Sequence, residues 1–337
     1  MDRRLAELLD SAIPFALRLK RRFRDVDVRE GVLIRGPVGW GEFAPFDDYS
    51  AVQASGWLSS AIESAYVGFP NAVRDFVPVN AIIAATNAQD CAIQVREAVL
   101  DNGCSVVKIP VGSADLADDE ARVAAARDVL DTTLGRGRGR IRIDAKGRWT
   151  RQRSVDALRR LGQYGLEYVE QPCSSPDDLR AVRSAVDIPV AVDESIRLGD
   201  RLEQVREFAD IAIIKPAPLG GASAALEIAD GIGMPVVVSG SLDSSVGLAV
   251  SLAVAAALPE VVHACGLGTG ALLATDLVDR PLVPVAGAMK VLSRVPDEGP
   301  LQQACDLITP SRADWWRRRL IEAWNACDEA VRERVSA

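Results

Sequence analysis

From residue 79 onward, short apolar runs recur at intervals of roughly 22 to 35 residues, the rhythm of repeated strand–helix units. The runs are Val79–Ile83, Val106–Ile109, Ile141–Asp144, Leu166–Glu170, Ile188–Val192, Ile211–Lys215, Pro235–Ser239 and Val261–Cys265. Between them lie stretches of helical spacing, such as Asp118–Leu130, Ser154–Leu161, Pro176–Ser184 and Ala222–Gly231. Strands this rich in Val and Ile are buried on both faces, which predicts a closed parallel (β/α) barrel. A doubly wound open sheet is the alternative. It calls for a glycine-rich phosphate turn after its first strand, and Asn80–Asn87 holds no such turn.

The first 78 residues follow another pattern. Phe15–Phe23 and Gly31–Arg35 read as antiparallel strands, Gly36–Gly39 as a turn, and Val52–Tyr66 as a helix. In the tail, Trp315, Trp316, Leu320 and Trp324 recur on one face of a helix over Arg312–Val331, an aromatic stripe of the kind that packs in a core. The expected organisation is an α+β capping domain over 1–78, a barrel over 79–287, and a C-terminal segment over 288–337 that returns to the cap.

Composition adds little to the fold and more to the partners. The chain has 337 residues, 48% hydrophobic and 26% charged, with a net charge of −8. An acidic surface gathers neither nucleic acid nor anionic lipid, so a small carboxylate substrate is the expected partner, held by a local cation. Monomer and homo-oligomer are equally compatible with this pattern. Met1–Leu19 lacks the apolar core of a signal peptide, and the apolar stretch Val246–Pro259 is short for a membrane span, so a cytoplasmic location is expected, with no membrane partner. The six scattered cysteines form no Cys-x-x-Cys pair and are expected reduced and mostly buried.

The chemistry of such barrels gathers at the C-terminal ends of the strands. Those ends carry Lys108, Asp144, Glu170, Asp193, Lys215, Ser239 and the run Gly266–Gly270. Neighbouring strands lie about 4.8 Å apart, so carboxylates on three successive strands can meet one ion. Any single acid could instead cap a helix, Asp193 before Glu194-Ser195 for one. Three together need a cation, and an all-oxygen set suits hard Mg²⁺. Lysines on either side of a metal-held carboxylate suit removal of a proton from the adjacent carbon, although each could equally be a structural ion-pair partner. The single histidine, His263, supports no nucleophilic triad, and Cys173 reads as structural.

These residues carry a resemblance. The runs Gly39-Trp-Gly-Glu-Phe-Ala-Pro-Phe46, Arg142-Ile-Asp-Ala145, Glu170-Gln-Pro172, Asp193-Glu-Ser195, Lys215-Pro-Ala-Pro-Leu-Gly-Gly221, Ser239–Gly247 and Ala264-Cys-Gly-Leu-Gly-Thr-Gly270 resemble those of the o-succinylbenzoate synthases of the enolase superfamily, in particular the actinobacterial type. The resemblance implies an enolase-type (β/α)7β barrel under an α+β cap. It implies Mg²⁺, with Mn²⁺ as a substitute, on Asp144, Glu170 and Asp193. It further implies dehydration of 2-succinyl-6-hydroxy-2,4-cyclohexadiene-1-carboxylate to 2-succinylbenzoate in menaquinone synthesis. Lys215 would face the enediolate, Ser239 and the amides near Gly266 and Gly268 would hold the succinyl end, and the loop around Phe23-Arg24 would close over the site.

The chain departs from the family at three positions. The second-strand Lys-x-Lys, whose second lysine is the family's acid/base, reads Lys108-Ile-Pro110 here. The third-strand Asp-x-Asn reads Asp144-Ala-Lys146, and Asp25 stands where glycine usually follows Phe-Arg. Proline moves no proton. Lys146 leaves the same strand face as Asp144, next to the second strand, so it either supplies the ammonium missing at Pro110 or points to solvent. The competing activities are N-acyl amino acid or dipeptide epimerisation, a metal-binding barrel without turnover, and a phosphate-ester enzyme using Ser239–Ser241 and Gly266–Gly270 as its cradle.

Overall fold

The fold was analysed in a computed structural model that describes residues 2–199 and 202–336. The chain begins with the helix Arg3–Ser11 and an antiparallel three-stranded sheet of β1 (Ala12–Phe23), β2 (Val26–Arg35) and β3 (Trp40–Phe43). Between β1 and β2 the chain reverses through Arg24 and Asp25, both at positive φ (49° and 63°). A tight hairpin that keeps the sheet's twist needs positive φ at both central residues, which explains why glycine is favoured at 25 and why aspartate is tolerated there. The helix Ala51–Ile62 follows, opened by a capping box between Ser50 and Gln53, and it continues into a π-helical turn over Glu63–Val67.

After β4 (Phe76–Pro78) the barrel strands come in chain order: β5 (Ala81–Ile82), β6 (Val106–Pro110), β7 (Arg140–Asp144), β8 (Leu166–Glu170), β9 (Val190–Val192), β10 (Ile211–Ile214) and β11 (Val236–Val238). They form one parallel sheet in which each pairs with its sequence neighbours. The long intervening helices include Ala88–Leu100, Leu116–Leu134, Arg151–Leu161, Pro176–Ala185, Ala222–Ile232 and Ser245–Ala257. The last of these accounts for the apolar stretch from Val246. Among the described residues no helix is long and apolar enough to cross a membrane.

The eighth expected strand, Val261–Cys265, does not form. Residues 261–264 are irregular, and the position is filled by Cys265 and Gly266, which bridge to Val79 on one side and Ser239 on the other. Four backbone bonds complete the join: Asn80 N–H to Cys265 O, Cys265 N–H to Pro78 O, Gly266 N–H to Val238 O and Gly240 N–H to Gly266 O, at 2.7–3.1 Å. Two residues close the barrel; of the approach to them Val262 is exposed, with no facing layer to pack on, and His263 turns to Tyr168 and Glu167.

The tail returns to the first domain. β12 (Ala288–Lys290) pairs antiparallel with β4. The expected helix Arg312–Val331 is two helices, Pro310–Ala326 and Glu329–Glu333, separated at Cys327-Asp328. Trp316, Leu320 and Trp324 are buried in one cluster with Val32, Ile34, Phe43 and Trp57, while Trp315 stays half-buried under the Arg312 guanidinium. All six cysteines are free, and only Cys305 is not buried.

Candidate active site

The register of the sheet sets the site. Pro110, Asp144 and Glu170 are paired neighbours on β6, β7 and β8, so they stand in one row at the upper end of the barrel. Lys108 and Arg142 are paired one layer below. Asp193 follows β9, Lys215 follows β10, and Ser239 follows β11. A cleft of about 590 Å³ opens above this row, bounded by Phe23, Arg24 and Phe46 from the first domain and by Ser239–Leu242 and Thr269 from the barrel. Lys108, Pro110, Asp144, Lys146, Asp193, Glu194 and Lys215 all reach it.

The acids are deep. Asp144 is 9% exposed, Glu170 1% and Asp193 3%. Lys108 Nζ donates to both oxygens of Glu170 (3.0 and 2.9 Å) and lies 3.8 Å from Asp144 Oδ2. Burial works against its ammonium, but Glu170 and Asp144 outweigh burial and hold its pKa above the ordinary lysine value. Lys215 Nζ bonds Asp193 Oδ2 at 2.5 Å, and Arg197 Nε reaches Asp193 Oδ1 at 3.2 Å. Burial opposes the Asp193 anion, yet these two cations more than offset it and hold its pKa at about 2. For Glu170 the balance goes the other way. Burial, assisted by Asp144 and Asp193 and opposed by Lys108, pushes its pKa up to about 7.

Lys146 has left the strand. It sits at φ 52°, donates its backbone N–H to Asp144 Oδ1 (3.0 Å), and holds its Nζ 5.8 Å from the centre of the Phe23 ring. Its ammonium forms no ion pair with the described residues, unlike those of Lys108 and Lys215. Burial lowers its pKa, opposed by Asp144 and assisted by Arg24, Lys108 and Lys215. Lys146 therefore faces the cleft rather than open solvent, stacked against the capping hairpin.

The donor set fits a hard divalent cation. Among the described residues no three acidic, cysteine or histidine side chains already form a chelate. Yet four carboxylates crowd the cleft. Burial raises the pKa of Glu194 as well, and its Oε2 is buried with no hydrogen-bond partner among the described residues. Three carboxylates from adjacent strand ends, with Glu170 pushed out of its charged form by burial and by the two aspartates, offer oxygen donors alone and are suited to Mg²⁺.

The remaining sequence candidates divide. Arg24 lines the cleft, with its guanidinium 4.6 Å from the centre of the Phe46 ring. Ser239 lines it too, its hydroxyl donating to Gly266 O at 3.2 Å. Gly266 does not offer its amide, because that N–H is taken by Val238 O in closing the barrel. Gly268 lies against the Asn80 carbonyl, away from the cleft lining. His263 is at the opposite end of the barrel, 3.4 Å from Glu167.

Sequence reading missed three contributors. Arg197 bridges Asp193, Glu194 Oε1 (2.9 Å) and the Tyr49 hydroxyl (2.6 Å), and its one signal is its place four residues after Asp193 on a helical turn. Gln171, at φ 42°, accepts the Asp193 N–H and the Ser195 N–H on its Oε1 and so fixes the end of β9. Thr269 lies within a quoted motif but had no assigned part.

Known proteins agree with this geometry. A family model described as enolase C-terminal domain-like matches residues 90–299, and one described as enolase N-terminal domain-like matches 14–65. The chain is 44% identical over 324 residues to the o-succinylbenzoate synthase of Thermobifida fusca, covering 95% of this chain and 98% of that one. It is 45% identical to that of Mycobacterium tuberculosis, covering 94% of each. Among solved structures, muconate lactonizing enzyme from Pseudomonas fluorescens superposes with a TM-score of 0.74 at 22% identity, over 87% of this chain and 97% of that one. The L-Ala-D/L-Glu epimerase of Bacillus subtilis does so at 0.72 and 23%, over 85% and 96%. The solved structures share the fold; the sequence relatives, aligned almost end to end, show that this chain belongs to the o-succinylbenzoate synthase family of the enolase superfamily.

Proposed function

We propose that this chain is a carbon–oxygen lyase that removes water from 2-succinyl-6-hydroxy-2,4-cyclohexadiene-1-carboxylate to give 2-succinylbenzoate, a step of menaquinone synthesis. The observation that carries the reading is one cleft that Asp144, Lys146, Asp193 and Lys215 line together, beside a buried Glu170. Asp144, Glu170 and Asp193 would hold Mg²⁺, or Mn²⁺ as a substitute. Such an ion would supply Lewis-acid charge beside the substrate carboxylate.

Lys146 is the acid/base in place of Pro110. Neutral Lys146 takes the proton from the carbon bearing the carboxylate, and the electron pair moves into the carboxylate as an enediolate. Lys215, tied to Asp193, faces that charge as a fixed cation. The enediolate then collapses, the carbon–hydroxyl bond breaks on the same face, and the Lys146 ammonium returns its proton to the departing hydroxide as water. The ring becomes aromatic and Lys146 is neutral again. Lys108 serves as a permanent ammonium beside Glu170 and opposes the effect of burial on that carboxylate, since two carboxylates hold its own charge. Arg24, on the hairpin of the first domain, and Ser239 contact the substrate, and residues 1–78 with 288–337 form the cap that excludes water.

The test is a direct dehydration assay with and without Mg²⁺, run beside Lys146→Ala. Turnover that depends on the divalent ion and falls about 10²- to 10⁴-fold in the variant is expected. Unchanged turnover in Lys146→Ala would remove that residue from the mechanism. No turnover in the unmodified, Mg²⁺-loaded protein would remove the activity.

A further inference from the structure

Thr269 sits in the short 3₁₀ turn Gly268–Leu272, just beyond the two residues that close the barrel. It is 2% exposed and lines the cleft, yet its Oγ1 is buried without a hydrogen-bond partner among the described residues. A buried hydroxyl left unpaired is costly, and threonine is readily replaced by valine where only shape matters. Gly240 stands beside it: an added Cβ there would come within 3.4 Å of this oxygen, 3.2 Å of Asp243 Oδ2 and 3.0 Å of Leu248. Glycine at 240 thus leaves no side chain between this buried hydroxyl and the cleft that Gly240 and Thr269 both line. The neighbouring hydrogen-bond donors are already used: the Ser239 hydroxyl donates to Gly266 O, Ser241 N–H to Asp243 Oδ2, and Gly266 N–H to Val238 O.

We infer that the Thr269 hydroxyl is a substrate-binding donor, reserved for an oxygen on the arm of the substrate remote from the reacting carboxylate. Asp144 and Asp193 mark where the reacting end lies, after β7 and β9. Thr269 follows the residues that close the barrel beyond β11, across the cleft from those two acids, so an arm that extends away from the reacting carboxylate reaches it. The inference rests on the proposed dehydration and deepens it by naming the contact that orients the arm. The hydroxyl binds the substrate and takes no part in moving protons, so it acts on KM rather than on kcat.

The test compares Thr269→Val and Thr269→Ser with the unmodified Mg²⁺-loaded protein. Binding of 2-succinylbenzoate is measured by calorimetry, KM and kcat by turnover, and thermal stability without ligand. The valine variant is expected to bind the product about 10- to 100-fold more weakly, the loss expected for a hydrogen bond to a charged group. Its KM rises while kcat changes little, and serine restores both. Without ligand the valine variant is expected to melt at or above the unmodified protein, because a methyl group replaces an unpaired hydroxyl. Equal product binding by the valine variant, or a lowered melting temperature without ligand, overturns this inference alone. Failure of the unmodified protein to bind 2-succinylbenzoate overturns the functional reading and this inference together.

Discussion

Pro110 and Lys146 show how two substitutions on adjacent strands can be read as one change. The ladder pairs Pro110 with Asp144, so the ring of the proline stands where an inward lysine would reach the cleft. Lys146, two residues past Asp144, returns an amine to the same cleft by turning through positive φ. Such a backbone costs about 1–3 kcal/mol for a non-glycine residue and persists where surrounding contacts hold it, here the bond from its N–H to Asp144. Lys215 is the other residue whose loss should be chemical rather than structural. Lys215→Met is expected to lower kcat by about 10²- to 10³-fold, the scale seen when one preorganised electrostatic contact to a developing anion is removed. Circular dichroism and melting should show a folded protein, and a kcat within a few-fold of the unmodified enzyme would refute the assignment.

At the scale of elements, periodicity located seven barrel strands and failed at the eighth. Val261–Cys265 has the composition of a strand, but the edges of the sheet come close enough to be joined by Cys265 and Gly266 alone. The C-terminal helix shows the reverse case, a local pattern whose meaning is tertiary. Trp316, Leu320 and Trp324 recur at helical spacing, and only in the folded chain does that stripe meet β2, β3 and the helix Ala51–Ile62. Trp324→Ala is expected to destabilise the protein by about 3–5 kcal/mol, the cost of emptying a fully packed aromatic site. A urea midpoint within error of the unmodified protein would show that the helix docks without this anchor.

For the whole molecule, the joint between the first domain and the barrel is hydrogen-bonded as well as apolar. Glu42 on β3 is buried against the start of the helix Ser245–Ala257, where it accepts from Ser244 N–H (3.2 Å) and from the Ser244 hydroxyl. Gly247 is needed there, because a Cβ would meet the Glu42 carboxyl at 2.6 Å. Arg29 completes the joint. It donates to Leu242 O (3.0 Å) and to Ala44 O, and packs 4.4 Å from the centre of the Phe46 ring, which ties the wall of the cleft to the cap. Burial, assisted by Asp243, pushes the Glu42 pKa up to about 7 against the bonds from Ser244 and the charge of Arg29. A carboxyl raised above its unfolded value favours the fold while protonated, so its contribution is complete below about pH 4.5 and is lost as pH rises towards 7. Glu42→Gln should therefore flatten the fall in melting temperature between pH 5 and pH 8. Parallel curves for the two proteins over that range would contradict this placement of the charge.

The sequence by itself determined the barrel, because buried strands and helices write their periods directly into the chain. The neighbourhood of Asp144, Glu170, Asp193 and Lys215 was legible there too, because strand ends are where apolar runs meet charged residues. Tertiary structure decided what depends on contacts between distant segments. It turned Lys146 into the cleft, clamped Lys108 to Glu170 and withdrew the Gly266 amide into the barrel seam. It also brought Arg197 onto Asp193 and left the Thr269 hydroxyl unpaired. The physical reason is common to all of these. A hydrogen bond or ion pair is a property of two partners, and the sequence names each partner without stating that they meet.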